Sequence, residues 1–401
     1  MNETSLTSRV KAWLALERNI SVMLVVIVLL GMGEELWTRF IPKYLEILGA
    51  TAWVVAWYGT LRDFLDAVYQ YPGGWLSDKL GRRTSLVIFT LLAIVGYSLY
   101  LFSASWMLLL VGTVFVMAWS SLTLPAMFSM IGDHLPSHQR TMGFGVQALI
   151  KRIPIVIAPG LGGLLILSRG FVPGIKLGLL ITIGAALAAI CVLLLFYEEK
   201  KEPPEDDLGF RQIWRDMEPA LKKLLVTDCL ARWAEGLAEV FIILYAINVV
   251  GVTAFQFGWL VSVQMLVSIV LYIPISRLAD KFGRRPFVLM TFTFFALYPL
   301  AIALSGGLAF LAVAFVIGGL REIGEPARKA TIIDLTGTLA RARTVGTYYL
   351  IRGLVVFPAS LAGGLLWNYN NHFPFYAAFA AGMVGVGYFV IVERKVKIVR
   401  A

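Results

Sequence analysis

The stretch Gly74-Trp75-Leu76-Ser77-Asp78-Lys79-Leu80-Gly81-Arg82-Arg83 returns 202 residues later as Ser276-Arg277-Leu278-Ala279-Asp280-Lys281-Phe282-Gly283-Arg284-Arg285. The echo is not local. Gly49, Thr51, Ala52 and Trp57 match Gly251, Thr253, Ala254 and Trp259, and Pro72 matches Pro274. Pro125-Ala126 matches Pro326-Ala327, and Gly162-Gly163-Leu164-Leu165 matches Gly363-Gly364-Leu365-Leu366. The offset stays at 201 or 202, which chance does not sustain over so many positions. The chain is therefore a duplication, and its fold must be two similar bundles.

The solvent of those bundles follows from composition. Of the 401 residues, 59% are hydrophobic and only 15% charged, whereas soluble domains carry about a quarter charged. Apolar runs of about 20 residues, the length that crosses a bilayer core, recur along almost the whole chain. Spanning backbone must satisfy its own polar groups, as a helix or a closed barrel. These runs are continuous rather than alternating, so they are helices. The predicted spans are 20–41, 53–74, 84–104, 107–131, 141–167 and 175–197, then 224–249, 255–276, 286–304, 308–332, 344–367 and 373–392. The expected fold is an all-α membrane protein of twelve transmembrane helices in two pseudo-symmetric six-helix bundles, 1–197 and 224–401. The linker 198–223 opens on Glu198-Glu199-Lys200-Lys201-Glu202-Pro203-Pro204, which cannot span. Its end mixes Phe210, Ile213 and Trp214 with Arg211 and Arg215, the pattern of an interfacial helix.

The net charge of +10 suggests nucleic acid until its distribution is read. Of the 35 Lys and Arg, 23 fall in loops and termini on one side, nine lie deeper within spans, and three (Lys43, Arg169, and Lys176 at the very start of the sixth span) fall on the other side. That bias predicts a multi-pass protein of the inner or plasma membrane with both termini cytoplasmic. No nucleic-acid partner follows from it, and a monomer in the bilayer is expected. The N-terminal polar segment leads into a full-length span with no cleavage site, so no signal peptide is expected. Cys191 and Cys229 form no disulfide framework and read as small buried hydrophobes. No metal signature, nucleotide-binding glycine loop or hydrolytic triad is present, so no cofactor and no enzymatic activity are expected.

These residues resemble the major facilitator superfamily along the whole chain. Gly74 to Arg83 matches that family's G-x-x-x-D-x-x-G-R/K-R/K turn between its second and third helices. The second copy keeps Asp280, Gly283, Arg284 and Arg285 but has Ser276 for the first glycine. The resemblance implies a conformational latch made by Gly74, Asp78, Gly81, Arg82, Arg83, Asp280, Gly283, Arg284 and Arg285. A topology anchor is the plainer reading. In the fifth span, Gly145, Pro159, Gly162 and Gly163 follow the antiporter pattern G-x8-G-x3-G-P-x2-G-G of drug–proton exchangers, with Pro154 and Ala158 standing in for two glycines. Small residues and prolines there also make a generic packing face.

A charge at mid-bilayer costs at least roughly 2.5–3.5 kcal/mol, so such groups face a cavity or a partner. Many occur here. Glu34, Glu35 and Arg39 lie in the first span; Arg62, Asp63 and Asp66 in the second; Lys151 and Arg152 in the fifth. Asp228, Arg232, Glu235 and Glu239 make one stripe of the seventh span; Arg321, Glu325 and Arg328, with Glu322 and Lys329, fall in the tenth; Arg352 is in the eleventh. The third, sixth, ninth and twelfth spans carry almost none. The family resemblance implies that the charged spans line or flank a central cavity. Helix-local pairs Glu35–Arg39, Arg62–Asp66, Arg232–Glu235 and Arg321–Glu325 are available. Glu34, Asp63, Glu239, Glu322, Lys151, Arg152 and Arg352 lack such a neighbour and must pair across helices, bind solute or titrate. Proton coupling is expected at some of Asp66, Glu35, Glu235 and Glu325. An anionic solute group is expected on Arg152, Arg352 or Arg321. The resulting expectation is a secondary active transporter of a small organic solute, a proton-coupled exporter. Proton-coupled uptake of a charged solute, and a non-transporting receptor on the same fold, are the alternatives.

Overall fold

A computed structural model describes residues 18–122, 137–198, 210–336 and 341–396. Within them the protein is all helical, with no strand. Helix α1 runs Arg18–Glu35 and, after a tight turn Thr38–Phe40, continues as Ile41–Ile47. Pro42, in the first turn of that continuation, lacks the N–H that an unbroken helix would need. Then come α2 (Ala52–Leu80), α3 (Arg82–Leu101), α4 (Trp106–Met117, extended by the π-turn Ala118–Leu122), α5 (Ser137–Arg169) and α6 (Phe171–Phe196). A short helix, Phe210–Asp216, precedes α7 (Pro219–Leu244, extended by the π-turn Tyr245–Val249) and α8 (Ala254–Phe282). The rest are α9 (Arg285–Ala303), α10 (Leu308–Leu320, resuming as Glu325–Leu335), α11 (Arg341–Val356, resuming as Ala359–Tyr369) and α12 (Phe373–Val396).

Eight stretches among the described residues are long and apolar enough to cross a membrane. They lie in α1, α3, α5, α6, α8, α9, α11 and α12. Helices α2 and α7 are longer than several of these but carry internal charge, and Trp106–Ser121 and Leu308–Leu320 are shorter apolar helices. Outward faces are hydrocarbon: Leu195 is 71% exposed and Phe310 69%. The protein is an all-α, multi-pass membrane protein.

The duplication survives at atomic level. Gly81 and Gly283 both adopt φ 86°, ψ 153° between consecutive helices, a backbone that a Cβ strains. Gly49 and Gly251 share the left-handed region at φ 86° and 80°. A Cβ on Gly162 of α5 would collide with the carbonyl oxygen of Leu36, and one on Gly363 of α11 with that of Leu237. Leu36 and Leu237 are themselves 201 residues apart, as are the two glycines. The same helix–helix approach is thus built twice.

The chain divides into two compact units, Met1–Arg39 with Val68–Glu205, and Phe40–Ala67 with Asp206–Ala401. In the first, α1 packs on α5 and α6, and α3 on α4 and α6. Trp37 is fully buried there, edge-on to Tyr97 and Tyr100, and its indole N–H donates to Thr182 Oγ1 at 2.9 Å. In the second, α7 packs on α9, α11 and α12, and α10 on α8 and α9. The outer segment of α1 and the first half of α2 belong to this second unit.

Candidate functional site

Charged residues come together in the second unit because α7, α10 and α11 turn their charged stripes toward one another. Helix α10 breaks at residues 321–324, where Gly324 is too close to the Phe287 carbonyl to bear a side chain. The Gly324 N–H freed by the break donates to Thr291 Oγ1 of α9 at 2.6 Å. The break rotates Arg321 away from Glu325, so the expected i, i+4 pair does not form. Arg321 instead bonds Glu235 Oε1 of α7 at 3.1 Å and lies 3.9 Å from Glu322.

The innermost pair is Asp228 and Arg328, whose side chains are 2% and 1% exposed. Arg328 also grips Glu325 Oε2 with two N–H donors, at 2.9 and 2.6 Å. Asp228 Oδ2 further accepts from Tyr348 at 3.1 Å and from Arg352 at 3.3 Å. Glu325 extends to Lys329 at 3.4 Å and Arg232 at 4.0 Å. Arg232 bonds Glu235 Oε2 at 2.6 Å. The result is one continuous row: Arg352, Asp228, Arg328, Glu325, Arg232, Glu235, Arg321, Glu322. Aromatic rings floor it. Arg232 and Arg321 sit 4.9 and 5.5 Å from the Phe295 ring centre, and Arg352 lies 4.6 Å over Tyr349. Every charge in the row meets its opposite, which offsets the cost of taking it out of water, although Arg232 Nε and Arg321 Nε are buried with no hydrogen-bond partner among the described residues. Farther along α7, Glu239 bonds Arg62 of α2 at 3.1 Å, and Arg62 lies 3.5 Å from Asp63. Asp66 is exposed.

The first unit holds a simpler arrangement. Glu34 accepts from the Tyr97 hydroxyl at 2.5 Å, and Glu35 pairs with Arg39 at 3.2 Å. Lys151 is exposed and Arg152 half-buried on α5. Glu34 and Glu235 stand 201 residues apart, as do Tyr97 and Tyr298. The duplicated carboxylate has diverged. Glu235 is clamped by Arg232 and Arg321, whose counterparts in the first half are Gly31 and Ser120. Among the described residues, Glu34 has the tyrosine as its side-chain hydrogen-bond partner.

The other predicted positions make the following contacts. At the two basic turns, Arg83 donates to the Leu194 carbonyl at the end of α6, and Arg284 pairs with Asp334 of α10. Arg82 and Arg285 head helices α3 and α9 beside their glycines. Pro159, Gly162 and Gly163 lie mid-α5, and a Cβ on Gly31 of α1 would touch Pro154. Gly74, Asp78, Asp280 and Gly145 lie outside the residues whose side chains are described. Among the described residues no cluster of His, Cys, Asp and Glu has the form of a metal site. Sequence reasoning gave Tyr97 no role. The signal was there, since Tyr97 repeats as Tyr298. It also treated Asp228 and Arg328 as stripe members only, although they are the most deeply buried pair of the row.

Comparison with known proteins fits this architecture. The Major Facilitator Superfamily profile matches residues 23–232 and 224–400. The uncharacterized MFS-type transporter MJ1317 of Methanocaldococcus jannaschii is 22% identical over 86% of this chain and 87% of its own. The quinolone resistance protein NorA of Staphylococcus aureus is 26% identical over 37% of this chain and 38% of its own. In three dimensions the chain is similar to a POT family transporter crystallised with a thioalcohol-conjugated peptide. That likeness has a TM-score of 0.79 over 96% of this chain and 97% of the other, at 14% identity, a likeness of fold. The duplicated bundles, the two basic turns and the profile match lead to one conclusion: the chain belongs to the Major Facilitator Superfamily of membrane transporters.

Proposed function

We propose that the protein is a secondary active transporter of a small charged or zwitterionic organic solute, working by alternating access and exporting its solute against proton entry. The observation that carries this reading is the ionised row from Arg352 to Glu322. A pathway for apolar drugs has no use for eight charges in series, whereas a polar solute exchanges contacts with them one by one. Export is favoured by the antiporter-like run Gly145, Pro159, Gly162, Gly163 and by the partial likeness to NorA, a quinolone resistance protein. Uptake is the second reading, favoured by the fold shared with a peptide-bound POT family transporter.

Proton exchange is assigned to a carboxylate free of a tight guanidinium clasp. Glu34, bonded to neutral Tyr97, meets that requirement better than Glu235 or Glu325, each held by two guanidiniums. In this reading the lobes are 1–197 and 224–401 with 198–223 as linker, both termini are cytoplasmic, and the two basic turns latch that face. The test uses inside-out vesicles and a labelled panel containing a quinolone, short peptides and organic acids. An acidic lumen should drive solute in, and Glu34→Gln should abolish that drive while sparing counterflow exchange. Accumulation only in right-side-out vesicles with acid outside would reverse the direction. Failure of every solute to accumulate under any imposed gradient would refute transport.

A further inference from the structure

We propose that Arg352 is the docking point for an anionic group of the solute, a carboxylate or phosphate, with the Tyr349 ring as its floor and Asp228 as a counterion it shares. The proposal rests on the transport reading and names the chemistry of its solute.

Five guanidiniums lie near the row, and four have a carboxylate oxygen within 3.1 Å, although Arg232 Nε and Arg321 Nε are buried with no hydrogen-bond partner among the described residues. Arg328 spends three donors on Asp228 and Glu325 and is 1% exposed. Arg232 is held by Glu235 and stacked on Phe295. Arg321 is held by Glu235, beside Glu322, and is 11% exposed. Arg62 is taken by Glu239 and Asp63. Arg352 differs. Its one hydrogen bond among the described residues runs from Nη1 to Asp228 Oδ2 at 3.3 Å, an oxygen already served by Arg328 and Tyr348. Its Nη2 and Nε donors make no hydrogen bond among the described residues, and its side chain stays 21% exposed.

Stacking over Tyr349 at 4.6 Å covers the guanidinium's flat face, and its Nη2 and Nε edge makes no hydrogen bond among the described residues. That edge is the fork that takes a carboxylate or phosphate through two parallel bonds. Removing Arg352 from Asp228 strands nothing, because Arg328 and Tyr348 still cover that oxygen. Counted back by the 201-residue offset, Arg352 falls on Lys151. The duplication thus keeps a cation at this place on the fifth helix of each half.

The test is binding to the purified full-length protein, read by thermal unfolding. The probes are matched pairs: N-acetylalanine and its amide, succinate and succinamide, glycerol 3-phosphate and glycerol. At least one anionic member should raise the unfolding temperature while its uncharged partner does not, since ligands stabilise by mass action. Arg352→Gln should weaken that probe by about tenfold or more, the scale of one charge-assisted contact, and Arg352→Lys by less. Asp228→Asn should tighten it by releasing the fork, a gain that a merely structural arginine would not produce. Unchanged affinity in Arg352→Gln, equal stabilisation by the uncharged partner, or no response to any anionic probe would overturn the assignment. If Arg352→Gln does not fold, Tyr349→Leu keeps every ion pair and should weaken the same probe by about two- to fivefold; unchanged affinity there overturns it equally. A probe that binds but never accumulates in wild-type proteoliposomes would sink the transport reading and leave the subsite standing. Accumulation with unaltered affinity in Arg352→Gln would do the reverse.

Discussion

Replacing Arg328 by Met tests whether the buried row holds the second unit together. The arginine is 1% exposed and makes one charge-assisted bond to Asp228 and two to Glu325. Removing one partner of a buried pair costs about 3–5 kcal/mol, because a desolvated charge is left behind. Here the residue of the damage is softened. Asp228 keeps Tyr348 at 3.1 Å and Arg352 at 3.3 Å, and Glu325 keeps Lys329 at 3.4 Å and Arg232 at 4.0 Å. The lower end, about 3 kcal/mol, is therefore expected, roughly a hundredfold in the unfolding equilibrium. Titration with SDS in mixed micelles, followed by tryptophan fluorescence, measures it. Arg215→Met, at an exposed ion pair, is the control and should be nearly silent. The triple variant Asp228→Asn, Glu325→Gln, Arg328→Met should recover part of the loss, since no buried carboxylate is stranded and the two cations that lose a carboxylate, Arg352 and Lys329, are 21% and 52% exposed and reach water. A single-variant cost below about 1 kcal/mol, or a triple variant whose cost is the sum of its singles within about 0.5 kcal/mol, refutes the reasoning.

The glycine contacts predict that Gly162→Ala and Gly363→Ala each destabilise by about 1–3 kcal/mol through overpacking against a carbonyl, while Gly184→Ala, with open space around it, does not. Equal melting temperatures for all three would contradict the duplicated close approach. Tyr97→Phe should cost about 1.5–3 kcal/mol by stripping a donor from a half-buried carboxylate, and Glu34→Gln in that background should restore part of it. A double variant less stable than Tyr97→Phe would argue against the pairing. A Cβ on Gly59 would lie 3.0 Å from the Ser360 Cβ and 2.7 Å from Val240 Cγ1, closer than the roughly 3.5–4.5 Å a disulfide spans, so a Gly59→Cys, Ser360→Cys protein made without Cys191 and Cys229 should cross-link on oxidation once the two helices ease apart by about half an ångström. Transport should stop on cross-linking and return with reductant. Undiminished transport by the fully cross-linked protein would show that α2 and α11 never part here.

The sequence carried the all-helical membrane fold outright, because hydrocarbon solvent leaves backbone few options and because duplication repeats the signal. It carried the turns at Gly81 and Gly283, whose left-handed backbone only glycine adopts cheaply. It located the charges on α1, α2, α5, α7, α10 and α11, since a charge among apolar residues is conspicuous at any register. It did not carry who pairs with whom. The Arg321–Glu325 pair looked natural on an unbroken helix and vanished once Gly324 packed against Phe287. Glu34 gave no hint of Tyr97, which lies 63 residues away.

Helix, membrane and repeat were local or periodic properties, written in each residue's own neighbourhood. Asp228 with Arg328, Glu235 between two arginines, and the open edge of Arg352 were decided only when separate helices met. The physical reason is that an ion pair depends on distances of a few ångströms between side chains a hundred residues apart. Helix rotation and helix breaks set those distances, and both depend on packing against every other helix.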